Sequence, residues 1–186
     1  MSAREKDLKE LLEYYEQNLC HKIFKYELNN KINIEVIFYI EGLCHLLGIQ
    51  HVYDNDKRYL GRRGYNLIKT EKLKRANLKK HNEAEYKKIK LRLKHFDEIE
   101  ELLCSGTFLK FYPERVKPRT QIRADFIIYR DKKEYLLHLF LVKENDRTNQ
   151  YSPISFIVKK INDKNKEQYI KNQEYKKITA FEIIKK

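Results

Sequence analysis

The 186-residue sequence contains little glycine, proline or cysteine and no tryptophan: 5 Gly, 3 Pro and 3 Cys. So few glycines and prolines argue against a collagen-like chain, a flexible linker and an all-β fold with many turns. Three cysteines are an odd number at irregular spacing, so no disulfide framework is predicted and a reducing compartment is favoured. The length fits one domain, and we expect residues 1–186 to form a single cytoplasmic domain.

Long hydrophobic runs are also absent. The longest apolar stretches, Val36–Ile40 and Leu136–Val142, are far too short to span a bilayer. The first residues lack the apolar run that follows the basic start of a secretory signal. Because 41% of the residues are hydrophobic and 12% aromatic, we expect a soluble protein with a sizeable core and no membrane partner.

The positive charge is concentrated in one part of the chain. The net charge is +13, but residues 1–56 carry 6 basic and 10 acidic residues. Residues 57–95 carry 15 basic and 3 acidic residues, a net charge of +12. Phosphate binding needs several cations on one surface, so Lys57 to His95 predicts a nucleic-acid surface. The alternative is a lysine-rich helix that is simply solvated.

The first half of the chain shows mainly helical spacing. Leucines and tyrosines from Leu8 to Leu19 recur every three or four residues, which predicts an N-terminal helix within residues 1–30. A strand over residues 32–39 and a short helix ending at Gly48 follow. The stretch from Gln50 to Asn66 is loop-like, and an apolar stripe predicts helix from about Leu67 to Leu103.

The second half shows short β-type runs separated by turn signals. The last of these runs, in the extension 161–186, is a plausible final strand after a helix-like or irregular piece. Helices first and consecutive strands afterwards predict an α+β fold. We expect N-terminal helices and a basic helical segment packed on a four- to five-stranded antiparallel sheet.

Two histidines, His45 and His51, flank the turn after the predicted short helix. An imidazole titrates near neutral pH, so it can take a proton from one oxygen and deliver one to another. Cleavage of an RNA backbone without a metal needs a base, an acid and cations that stabilise the phosphorane. His45 with Arg62 and Arg63 would supply two of these needs. The alternative is a hydrogen-bonded structural histidine at a helix end.

Metal binding is weakly indicated. The dipeptides Cys20–His21 and Cys44–His45 contain zinc-ligand types, but neither shows the close Cys-x₂₋₄-Cys or His-x₃₋₅-His spacing of structural zinc sites. No glycine-rich phosphate loop is present either. We therefore expect no metal and no cofactor.

Few polar residues interrupt the β-type runs. Lys143 ends one run, and Ser155 lies within another. Ser155 could present its hydroxyl to a phosphate, although a core serine bonded to backbone is equally common. The residues expected to bind substrate are His51, Arg62, Arg63, Lys69, Arg75 and Lys143.

Three pieces of the sequence follow one another in a specific order: His45–Leu46–Leu47–Gly48, a basic stretch with Lys69 and Lys72, and Tyr151–Ser152–Pro153–Ile154–Ser155. In this order, residues 32–160 resemble the phage-associated nuclease-like domains grouped with the Barnase–EndoU–colicin–RelE superfamily. One departure is that Leu43–Cys44 stands where an aromatic residue usually precedes the histidine element.

The resemblance implies a metal-independent endoribonuclease of phage or mobile-element origin, acting as a toxin or defence effector. In that family pattern His45 would be the general acid or base, Ser155 would orient a phosphate, and Lys72 or Lys69 would stabilise charge. RNA would be cleaved by 2′-hydroxyl transesterification. The alternative is a non-catalytic nucleic-acid-binding or inhibitor module that uses the surface from Lys57 to His95, with an acidic protein as a further partner.

Overall fold

The computed structural model describes residues 4–186, which form helices packed against a single sheet. The helices are α1 (Leu8–Tyr15), α2 (Leu43–Leu47), α3 (Ile49–Val52), α4 (Gly61–Lys69), α5 (Arg75–His81), α6 (Glu83–Lys94) and α7 (Ile99–Ser105). The strands are β1 (Lys22–Leu28), β2 (Ile32–Ile37), β3 (Thr107–Lys110), β4 (Phe126–Asp131), β5 (Tyr135–Lys143), β6 (Gln150–Lys160), β7 (Glu174–Lys176) and β8 (Ile178–Lys185). Within residues 4–186, no helix is long and apolar enough to cross a membrane.

The sheet contains eight strands in the order β7-β3-β4-β5-β6-β2-β1-β8. All neighbours are antiparallel except β2 and β6, which pair in parallel through Glu35 with Gln150 and Val36 with Tyr151. The predicted α+β class is confirmed. The prediction of four to five antiparallel strands understates the sheet, because it did not include β1, β7 or the parallel pair. The plausible final strand predicted in residues 161–186 is present as β8.

The N-terminal helix is shorter than predicted. After α1 a π-helix covers Glu16–Cys20, and then the chain extends as β1. Phe24, Tyr26 and Leu28 are buried at alternate positions, which is the period of a strand and not of a helix. Asn30 has a φ of 65°, and Asn29 and Asn30 lie in the tight turn between β1 and β2.

The C-terminal extension completes the sheet. The two edge strands β7 and β8 are separated only by Lys177, yet β7 pairs with β3 and β8 pairs with β1. The rings of Tyr26 on β1 and Phe108 on β3 lie 4.8 Å apart. One continuous stretch of chain therefore joins the two ends of the sheet and leaves it nearly closed. The piece before it, predicted to be helix-like or irregular, consists mainly of turns.

The basic segment forms several short helices where one long helix was predicted. The stretch predicted to be loop-like contains α3 and most of α4. The side chain of Asn82 accepts a hydrogen bond from the Glu85 backbone, and this N-cap separates α5 from α6. Apolar residues of α6 at helical spacing, Tyr86, Ile89 and Leu93, pack into the main core between the helices and the sheet.

A second, smaller core lies on the other face of the sheet. Along β4, Phe126 and Ile128 belong to the main core, whereas Ile127 belongs to the smaller one with Phe140 of β5. Tyr169, from the turns that precede β7, covers this face. Both faces of the central strands are therefore buried, which explains their nearly continuous apolar sequence.

Candidate functional site

A cavity lies where β2 and β6 separate. The two strands share only two residue pairs, and α2 packs against β6, which continues beyond β2 while still paired with β5. The cavity has a volume of about 320 Å³. Its lining residues are Tyr15, Ile37, Tyr39, Glu41, Gly42, His45, Ser152, Pro153 and Ile154. Both short motifs found in the sequence therefore meet at this place, although they stand more than a hundred residues apart.

Helix α2 holds His45 at the rim of this cavity. Its other side chains are buried in the main core, and His45 is exposed. The helix ends at Gly48, whose φ of 83° is the left-handed conformation that favours glycine. Gly64 of α4 fits closely against α2, because a Cβ there would lie 2.6 Å from the Cys44 sulfur. The close packing of α4 fixes the position of the short helix.

The two histidines of the predicted site occupy a positively charged neighbourhood. Partial burial lowers the pKa of His45, and the nearby Arg92 and His51 lower it further. The pKa of His51 is also lowered, first by burial and then by Arg92; Lys88 adds to this effect and Glu85 opposes it. Both imidazoles are therefore neutral at pH 7, which is the form that can accept a proton.

Arg92 is a functional candidate that sequence reasoning missed. Its NH1 is fully buried and has no hydrogen-bond partner within residues 4–186, and burial lowers its pKa to about 10. It packs against the turn after α2, since a Cβ on Gly48 would lie 2.7 Å from NH1. The residue as a whole is half-buried, but a buried guanidinium nitrogen without a partner is costly unless a ligand or water completes it.

A sequence signal for Arg92 did exist. It stands three residues after Ile89 and four before Phe96, both of which are core residues. These spacings place it beside the apolar stripe, on the side of α6 that turns inward. We call His45, His51, Arg92 and the adjoining 320 Å³ cavity the His45 site.

A carboxylate lies on the opposite side of the cavity. The Tyr39 hydroxyl donates a hydrogen bond to Glu144 Oε2 at 3.2 Å, and the Ser152 hydroxyl donates to Glu144 Oε1. Burial and the charge of Glu144 raise the pKa of Tyr39. Glu144 comes from the turn after β5, and no pattern in the sequence distinguishes it from the other acidic residues.

Two residues of the predicted site, Ser155 and Lys143, lie on β6 and at the end of β5. Ser155 pairs with Phe140, which places it on the face of the smaller core, and it does not line the cavity. Ser152, from the same motif, does line the cavity. Lys143 pairs with Tyr151, and its backbone N–H donates to Asp125 Oδ2 at 2.8 Å.

The predicted cations differ in their partners. Arg62 donates to Glu41 at 2.8 Å, which brings it to the rim of the cavity. Lys69 pairs with Glu16 at 3.3 Å, and buried Arg75 pairs with Glu5 at 3.1 Å. Arg63 and Lys72 are exposed, with no carboxylate partner among the described residues. The structure thus places Arg62 beside the cavity that His45 lines and His51 near His45, and it places Arg75 in a structural ion pair.

The acidic beginning of the chain neutralises part of the basic segment. Glu5, Glu16 and Glu41 all form ion pairs with cations of residues 57–95. Within the described range, the exposed cations of this segment that have no carboxylate partner are Lys57, Arg63, Lys72, Lys79, Lys80 and Lys94. No group of three or more histidine, cysteine, aspartate or glutamate side chains in residues 4–186 could hold a metal ion.

Comparison with protein families identifies the chain. Residues 7–185 match the family PBECR4, described as phage-Barnase-EndoU-ColicinE5/D-RelE like nuclease4, and the chain belongs to this family. The match includes the first helix and the closing strands, which lay outside the resemblance found in residues 32–160. Comparisons with curated proteins and with solved structures gave no match.

Proposed function

We propose that this member of a phage nuclease-like family is a metal-independent endoribonuclease acting at the His45 site. The observation that carries the proposal is a histidine with a lowered pKa beside Arg92, whose buried NH1 has no partner within residues 4–186. An imidazole and a guanidinium can supply two needs of phosphoryl transfer from a 2′-hydroxyl without a metal, a base and a cation that stabilises the phosphorane. A reducing, cytoplasmic location and a toxin or defence role are part of this proposal.

The chemistry assigns each group a step. Neutral His45 takes the proton of the 2′-hydroxyl, and the 2′-oxygen attacks the adjacent phosphorus. Arg92 stabilises the negative charge that develops on the phosphorane oxygens. The bond from phosphorus to the 5′-oxygen breaks, the 5′-oxygen takes a proton from water, and His45 returns its proton to the solvent. The products are a 2′,3′-cyclic phosphate and a free 5′-hydroxyl. Ser152 replaces Ser155 as the hydroxyl that orients the phosphate, and Arg92 replaces Lys72 as the charge stabiliser.

The RNA strand would lie along the unpaired lysines and arginines of α4 to α6. Tyr59 stacks on Tyr53 with ring centroids 3.7 Å apart, and the Tyr53 ring lies 4.3 Å from His81. Such a stack at the edge of a basic surface offers a platform for an unpaired base. Tyr65, by contrast, is buried and its hydroxyl donates to Glu16, so it is unsuited to stacking.

The test is cleavage of end-labelled RNA in EDTA by the wild-type chain and by His45→Ala. We expect products ending in 2′,3′-cyclic phosphate and a ~10²- to 10⁴-fold slower reaction for the variant, the range for loss of a general acid or base. His21→Ala is the matched control, because His21 is also exposed but does not line the cavity. Equal rates for H45A and H21A would contradict the assignment.

The unpaired cations also support a second candidate, a nucleic-acid-binding or inhibitor module without catalysis. In that case the chain would bind varied RNAs without cleaving any of them. Binding should weaken steeply as salt increases, because each phosphate contact releases a counterion. Binding that does not change with salt concentration would instead favour an acidic protein partner that packs against this surface.

A further inference from the structure

Helix α6 has a second basic side, which faces away from Arg92. Lys87, Lys90 and Lys94 lie one turn apart along it and line a cavity of about 940 Å³. Tyr135 at the start of β5 and Lys160 at the end of β6 form the opposite wall. None of these residues lines the 320 Å³ cavity, so the two cavities are separate.

A buried histidine lies in the wall of the larger cavity. His95 is only 6% exposed, and its Nδ1 lies 2.6 Å from Glu98 Oε1. The Tyr135 hydroxyl donates to the same carboxylate at 2.8 Å, and its ring lies 3.9 Å from the imidazole ring. Because a carboxylate accepts, Nδ1–H donates to Glu98 and Nε2 is left for a ligand. The position of the imidazole is fixed on two sides.

The charges around this cavity are only partly compensated. Lys90 pairs with Glu5 at 3.0 Å, and Lys6 pairs with Asp97. Lys94 and Lys160 have no carboxylate partner within residues 4–186. Two unpaired ammonium groups in one concave site attract a phosphate group.

Apolar surface lies beside these cations. Leu91, Ile161 and the ring of Tyr135 contribute to the same cavity. Tyr135 offers an aromatic ring and the two aliphatic side chains offer flat surface, which suits a planar heterocycle. A cavity of this volume is within the range of small-molecule sites, which combine an apolar wall with a few polar groups.

We propose that this cavity is a second ligand site that binds a nucleoside monophosphate. Lys94 and Lys160 hold the phosphate, the base lies against Tyr135 and Leu91, and His95 Nε2 forms the orienting hydrogen bond. The site does not depend on cleavage at His45. Its ligand has two sources with one chemistry, a free nucleotide or a nucleotide within a bound RNA strand.

The test is calorimetric titration of the full chain with AMP, GMP, CMP and UMP, and with the corresponding nucleosides and inorganic phosphate. We expect at least one nucleotide to bind ~10-fold or more tightly than its nucleoside and than phosphate. The double variant Lys94→Gln with Lys160→Gln should weaken that binding by ~10-fold or more, because it removes the charge-assisted contacts. Lys164→Gln with Lys171→Gln is the control, since both lysines are exposed and outside the cavity.

A second readout follows the histidine itself. In the proton spectrum of the wild-type chain, the imidazole signal that His95→Gln removes should shift when the nucleotide is added. Displacement of the nucleotide by a 2′-O-methyl RNA oligomer would identify the RNA strand as the source, and no displacement would identify the free nucleotide. Absence of binding, equal binding of inorganic phosphate, or an unshifted His95 signal would overturn the proposal.

Discussion

The two sides of α6 place histidines in opposite surroundings. At the His45 site the imidazole has Arg92 and a second histidine as neighbours, and its pKa is lowered. In the larger cavity His95 donates to Glu98 and packs against Tyr135. One helix supplies cations to both places, Arg92 to the first and Lys94 to the second. The groups next to an imidazole therefore determine its chemistry more than the residue type does.

The contrast has a physical consequence for each site. A neutral histidine beside a cation can accept a proton while the cation stabilises an anionic intermediate, which suits catalysis. A histidine held by a carboxylate keeps one orientation and one free nitrogen, which suits recognition. Variants at each site should separate catalysis at the His45 site from recognition at His95.

Replacement of Arg92 by methionine should slow the cleavage of RNA by ~10²- to 10³-fold. The reason is that one preorganised donor to the phosphorane is lost. Thermal unfolding should show equal or greater stability, because the variant removes a buried guanidinium whose NH1 has no partner in residues 4–186. The measurement is the single-turnover rate together with the melting temperature.

Arg75→Met is the matched control for Arg92→Met. Arg75 is also buried and likewise has two guanidinium nitrogens, Nε and NH2, without a partner in residues 4–186. Its NH1, however, pairs with Glu5, so the control should lose stability. Arg92→Met should also raise the pKa of His45 and His51, which NMR titration would detect. A full rate with a strongly lowered melting temperature would mean that Arg92 is structural.

A third histidine, His138, is completely buried. His138 on β5 donates from Nδ1 to the Ile157 carbonyl, and its Nε2 is buried without a partner among the described residues. Burial lowers its pKa to about 4. Between pH 6.5 and 4 the unfolded chain therefore binds more protons than the native one, so stability falls as the pH falls. The loss should be about 3 kcal/mol, from the difference between the two pKa values.

Urea unfolding at pH 7 and at pH 4.5 would measure this effect. His138→Phe should remove most of the pH dependence, because phenylalanine does not titrate and keeps a ring against Tyr169. His45→Ala serves as the comparison variant, since His45 is exposed and its pKa is lowered less. Equal pH dependence in the wild type and in His138→Phe would contradict the assignment.

The smallest effect is expected for Glu98→Gln. The amide keeps the shape of the carboxylate but weakens the hydrogen bonds from His95 and Tyr135, because both lose a charged acceptor. We expect a loss of about 1–2 kcal/mol in the free energy of unfolding, measured by urea denaturation. Glu134→Gln is the control in the same cavity wall. Equal stability of the two variants would show that Glu98 does not hold the imidazole.

Local signals in the sequence predicted several elements of the fold. The α+β class, the strands β4 to β6 and the end of α2 at Gly48 are confirmed, because each depends on neighbouring residues. The strand β1 was missed because Ile23 continues the helical spacing of the leucines before it. The alternation of Phe24, Tyr26 and Leu28 was the competing signal. The parallel pairing of β2 with β6 depends on contacts between distant residues, which no local pattern reveals.

The sequence also predicted part of the candidate site. The histidine element and the late serine-proline element were recognised as motifs, and the structure brings them to one cavity. The choice between Ser152 and Ser155 depends on which face of β6 each occupies, and a bulge between Phe140 and Leu141 shifts that register. The roles assigned to His45, Ser155 and Lys72 stay predictions. Arg92 was hidden among other cations because its burial depends on the turn at Gly48.

The single residue between β7 and β8 has a consequence for how the protein is made. During synthesis, β1 and β3 emerge long before β7 and β8. Until then, each of the two strands has one edge without a hydrogen-bonded neighbour. Open edges are sites where chaperones and other chains bind. The fold is completed only when residues 174–185 have left the ribosome.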